Sequence, residues 1–135
     1  MPAPAVLAVD TNVFVRILVD DPGAPKQCAA ARKLAAESGS VYVPQVVQIE
    51  AVWVLERTYD VSKPVIIRTL GQIAENTAFV LQRSKVFLQA LEEYRTGRAD
   101  FSDCVILAEC RTEGVSLATF DRKLGKHEGS VVVTG

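Results

Sequence analysis

Short apolar runs at Ala5 to Val9, Val41 to Val43, Ala78 to Leu81, Val115 to Thr119 and Val131 to Val133 punctuate the chain. Each is strand-length, and most are rich in β-branched residues. The first and fourth are apolar at successive positions, as expected of parallel strands covered by helices on both faces. Longer amphipathic stretches separate the runs. "PKQCAAARKLAAES" is Ala-rich and ends near Gly39, and "QVVQIEAVWVLERTYD" follows it. "SKPVIIRTLGQIAEN" has Ser62 as an N-cap and Pro64 in its first turn. "SKVFLQALEEYRTG" is opened by Ser84 and closed by Gly97, and "DFSDCVILAECRTEG" is opened by Asp100 and closed by Gly114. Strands alternating with helices predict an α/β domain with a mainly parallel central sheet flanked by helices. In such sheets, sites gather beyond the carboxyl ends of the strands.

Composition narrows the class without choosing a function. With 135 residues and 49% hydrophobic content, the chain suits one compact domain with a substantial core, expected to span residues 1–135. A net charge of −1 gives no global pull toward nucleic acid or membrane. No apolar run approaches the roughly 20 residues that cross a bilayer. The N-terminus carries no basic segment ahead of its apolar stretch, so a cytoplasmic protein is expected. Cys28, Cys104 and Cys110 form no C-x-x-C pair and read as reduced, mostly buried thiols.

Of the 16 acidic residues, four do not fit solvated helix faces or loops. Asp10 interrupts two apolar stretches in "AVLAVDTNVFVRILV", at the end of the first strand. Asp121 stands just past another strand, in "LATFDRKL". Glu50 has Val46, Val47, Trp53 and Val54 at i±3 and i±4, a lining expected of a buried face, where an isolated carboxylate is very costly. Asp103 lies in the first turn of its helix, near Asp100. Local roles are open to each: an Asx-turn for Asp10, a pairing of Glu50 with Arg57, a capping box for Asp100 and Asp103, and a turn or N-cap for Asp121.

Carboxylates gathered in one place repel each other and raise each other's pKa. A hard divalent cation removes that conflict, and Mg2+ and Mn2+ prefer oxygen ligands. Held this way, such an ion suits hydrolysis of phosphate esters.

"VDTNVFVRIL", "PQVVQIEAVWVL", "ADFSDCVILAEC" and "LATFD" occur in the order and approximate spacing of PIN-domain ribonucleases. The chain most resembles the VapC-type toxins of toxin–antitoxin systems, over essentially its whole length. The resemblance implies a PIN-like three-layer domain and a Mg2+- or Mn2+-dependent endoribonuclease. It further implies a homodimer, inhibited by a small VapB-type antitoxin. The family's acidic quartet falls on Asp10, Glu50, Asp103 and Asp121. Asp10, Asp103 and Asp121 are expected to hold the metal, and Glu50 to bind it or orient the attacking water. Asp100 matches an additional acidic position, and Asn12 and Thr119 match polar positions that support the first and last acids.

Other readings stay open: a metal-dependent phosphohydrolase of another class, or a non-catalytic PIN-like subunit whose acidic pocket binds a basic partner tail. An aspartyl-phosphate phosphatase would want a second Asp where this chain has Asn12. His127 is the sole histidine, so a two-histidine ribonuclease mechanism is excluded; in the "RKLGKHEG" loop it reads as a surface residue. Arg122, Lys123 and Lys126 follow Asp121 closely and are candidates for RNA phosphate contacts. Val52, Trp53, Ile66, Ile67 and Leu70 exceed the needs of a small core, so some are expected at an interface.

Overall fold

A computed structural model describes residues 7–135. The chain divides into two compact units, Met1–Gln82 and Arg83–Gly135. Mixed α/β structure with parallel strand pairing is as expected.

In the first unit, β1 (Leu7–Ala8), β2 (Val41–Val43) and β3 (Phe79–Leu81) form a parallel sheet in that order. Four helices connect and cover them: α1 (Thr11–Leu18), α2 (Pro25–Ser38), α3 (Gln45–Arg57) and α4 (Lys63–Glu75). Parallel pairing puts the carboxyl ends of all three strands at one edge. That edge is locked by a buried glutamine. Gln48 Nε2 donates to the carbonyls of Val43 at 3.1 Å and Gln82 at 2.9 Å, pinning the start of α3 to the ends of β2 and β3. Val41, Val43, Phe14, Val15, Leu55 and Ile66 form the buried centre, with Phe14 edge-on to Phe79 at 5.6 Å between rings.

In the second unit, α5 (Ser84–Thr96) packs on α6 (Phe101–Thr112), and the rings of Phe87 and Tyr94 meet Phe101 edge-on. β4 (Leu117–Thr119) pairs in parallel with β5 (Ser130–Val132), joined through a short 3-10 turn at Leu124–Lys126.

Several expectations need correction. The apolar stretch after Asp10, which the pattern of runs leaves without an element, is the helix α1, capped by Asp10. β1 and β4 are not covered on both faces: Leu7 and Ala8 are exposed, and β4 is at most half-buried. Each is an edge strand of the sheet to which it belongs. Residues 5 and 6 of the first run lie outside the described residues. Ser84 is the first helical residue of α5 rather than its cap, since Arg83 takes that position with φ 52°. Of the apolar excess, Val52, Ile66 and Leu70 are buried, whereas Trp53 is 56% exposed with the Arg57 guanidinium stacked on its ring. The cysteines are free, and Cys28 and Cys104 are buried. Among the described residues, no helix is long and apolar enough to cross a membrane.

Candidate functional site

The first unit sets two acids at the carboxyl edge of its sheet. Asp10 leaves β1 in extended backbone, and its Oδ1 accepts from the Val13 N–H at 2.9 Å, capping α1. The next residue reaches across to α3: Thr11 Oγ1 donates to Glu50 Oε2 at 3.2 Å. Thr11 therefore connects the turn carrying Asp10 to the helix carrying Glu50. Sequence reasoning misses Thr11, although a hydroxyl beside the first acid is an available signal. Asn12 is exposed and, with Asp10, opens onto a cleft of about 320 Å3 beside Arg16 and Leu34.

Glu50 is exposed, which overturns the expectation that its apolar neighbours mark a buried face. Val46 and Trp53, on the same side of α3, are themselves 63% and 56% exposed. Its expected alternative partner, Arg57, is instead stacked on Trp53.

The second unit holds Asp100, Asp103 and Asp121. Asp100 is the N-cap residue of α6, but its side chain makes no capping bond; only its carbonyl engages the helix, accepting from Cys104 N at 3.0 Å. Asp103, in the first turn, is half-buried. Its pKa is raised, first by burial and then by the negative charges of Asp100 and Asp121. A helix N-terminus favours a carboxylate by about 0.3–1 kcal/mol, so here desolvation and like charge outweigh the dipole. Asp121 follows β4. Its N–H donates to Thr119 Oγ1 at 3.0 Å, and its Oδ1 accepts from the N–H groups of Lys123 at 2.7 Å and Leu124 at 3.3 Å. Thr119 thus fixes the backbone of Asp121, while one carboxylate oxygen shapes the following turn.

Among the described residues, no group of three or more His, Cys, Asp or Glu side chains stands assembled to hold a metal ion. The donor chemistry nonetheless fits a hard divalent cation. The acids offer oxygen only, and Asp103 carries like-charge neighbours with no basic side chain shifting it back.

The family profile for the PIN domain matches residues 7–129. The chain belongs to the PIN-domain family. PIN domains are generally metal-dependent nucleases that use divalent ions and act on RNA, which supports a hydrolase at a coarse level. No curated protein and no solved structure matches the chain.

The same PIN-domain unit contains a carboxylate in the opposite situation. Glu93 on α5 pairs with Arg111 through Oε1 and with His127 Nδ1 through Oε2. Burial pushes Glu93 up, but Arg111 and His127 together hold it below the usual range. Arg111 also donates through Nε to the Glu128 carbonyl at 3.0 Å. The His127 side chain is only 7% exposed, so it is no surface residue: its ring is packed over Gly97, where any Cβ would collide with it. Separation in sequence hides this network, since Glu93 and His127 lie 34 positions apart.

Proposed function

We propose that this PIN domain is a Mg2+- or Mn2+-dependent endoribonuclease, the toxin of a VapBC-type toxin–antitoxin module. Asp10, Asp103 and Asp121 hold the ion directly or through water. In this reading the protein is a cytoplasmic homodimer, and a VapB-type antitoxin inhibits it with an Arg or Lys placed among the acids. The observation that carries the reading is Asp103. A half-buried carboxylate under the negative charges of Asp100 and Asp121, with no basic side chain shifting it back, is destabilising for folding, and such positions mark functional sites.

A bound divalent ion would polarise the phosphoryl oxygen and acidify a water. The protein groups have separable tasks. Asp10 is locked by its cap to Val13 through one oxygen, which leaves the second available as a ligand. Glu50 has one oxygen held by Thr11, leaving the other to accept a proton from the attacking water and aim it in line with the scissile bond. Asp121 is fixed by Thr119 and by the turn it caps. No nucleophilic side chain is required.

Incubation with single-stranded RNA and with a generic phosphomonoester, each with Mn2+ or with chelator, tests the proposal. The expected result is internal cleavage of RNA with Mn2+ only, and none in Asp103→Asn. Turnover of the monoester alone would instead support a phosphohydrolase of another class. No cleavage by the wild type, with a folded Asp10→Asn variant that still binds its partner and behaves as the wild type does toward RNA, would support the non-catalytic subunit.

A further inference from the structure

The second unit carries a cleft of about 540 Å3 that the nuclease chemistry does not use. Arg98, Lys123 and Lys126 line it, and none of the three has an ion-pair partner among the described residues. The one carboxylate in its wall, Glu93, is already neutralised by Arg111 and His127. The cleft is therefore cationic, on a chain whose net charge is −1. In its wall the buried His127 ring packs against Gly97.

The chain leads from Asp121 directly into the cleft. The Lys123 N–H is bonded to Asp121 Oδ1, so the first cation of the cleft follows directly from the turn that Asp121 shapes. Phe120, between Thr119 and Asp121, is 77% exposed, the most exposed large hydrophobic side chain among the described residues. A cationic groove, and an exposed aromatic shortly before Lys123 in the chain, are the two elements by which proteins hold single-stranded nucleic acid: cations track phosphates while bases stack on the ring.

We infer that this cleft is the backbone-binding track for single-stranded RNA flanking the cut, with Arg98, Lys123 and Lys126 on phosphates and Phe120 stacked on a base. The inference rests on the ribonuclease reading and adds to it the form of the substrate and the side from which it enters. Duplex RNA satisfies it poorly, because its bases are not free to stack on Phe120.

The test is fluorescence anisotropy with a labelled oligouridylate of about ten nucleotides in chelator, where binding is read without cleavage. Lys123→Gln/Lys126→Gln is expected to weaken binding about tenfold or more. It should also lower the slope of log K against log salt by about 0.7 for each phosphate no longer neutralised. Phe120→Ala is expected to weaken binding about tenfold with the slope unchanged. All three substitutions are at exposed or half-exposed positions, and thermal unfolding confirms that the variants fold. Unaltered affinity and slope in the double variant, alongside Mn2+-dependent cleavage by the wild type, would overturn the track and leave the nuclease intact. Wild-type protein that neither binds nor cuts RNA would overturn both. Lysine-dependent capture of an oligoglutamate peptide with no RNA binding would overturn the track in favour of an acidic protein partner.

Discussion

Glu93 and Asp103 are carboxylates on adjacent helices of one unit, and their surroundings drive them in opposite directions. Glu93 is desolvated but answered by an arginine and a histidine, and its pKa is lowered. Asp103 is desolvated and answered only by further acids, and its pKa is raised. The first is a finished structural network that fastens the 127–129 segment to α5 and α6. The second has no positive side chain that answers its charge. Burial alone does not set the direction of either shift; the sign of the neighbours does.

The largest expected effect comes from removing the Asp103 carboxylate. Outer-shell partners of a metal are worth about 10–100-fold, so if Asp103 holds the ion as proposed, Asp103→Asn should lower the RNA cleavage rate by about 10²-fold or more. The thermal midpoint should hold or rise, since repulsion is removed. A fall in both would show that Asp103 is structural, and the contrast with Glu93 would collapse.

Breaking the finished network should do the reverse. Glu93→Gln leaves Arg111 and His127 without their anion and should lower unfolding free energy by about 2 kcal/mol, measured by urea denaturation. Gly97→Ala acts on the same network from the other side, forcing the His127 ring to move. A loss of about 1–3 kcal/mol is expected. A neutral Gly97→Ala would mean that the ring does not pack as described.

The smallest effect is in the pH dependence, where the two acids have opposite signs. Glu93, lowered in the fold, contributes stability that is present above its unfolded value of about 4.3 and lost as pH falls through its folded value. Asp103, raised in the fold, contributes most below its unfolded value of about 3.9, and that contribution is lost as pH rises through its folded value. Urea titrations across the acid range should therefore show Glu93→Gln less acid-sensitive than wild type. Asp103→Asn should instead gain on wild type as pH rises.

Much of the fold is legible in the sequence where local rules decide. The β-branched runs mark the strands to within about two residues, and Pro64, Gly39 and Gly97 mark helix ends, because capping and turn chemistry act over a few positions. α1 is harder: "VFVRILV" is β-branched enough to pass for a strand, and only the Asp10 cap shows it to be a helix. Long-range partners leave no local trace, so Gln48 on two strand ends, Thr11 on Glu50 and Glu93 on His127 become visible only in the fold. Glu50 is exposed despite its apolar helical neighbours because such neighbours show amphipathicity but not which surface is covered. His127 departs from expectation for the complementary reason, since a polar loop still buries a side chain that finds an acid.

Calorimetric titration of Mn2+ into wild type and Asp103→Asn, without RNA, asks most directly whether Asp103 holds a cation as proposed. Wild type should bind with a defined stoichiometry and gain stability by mass action, about 2.7 kcal/mol at one hundred times the Kd, while Asp103→Asn should bind far more weakly. Equal binding by the two proteins, or none by either, would contradict a metal-holding role for Asp103.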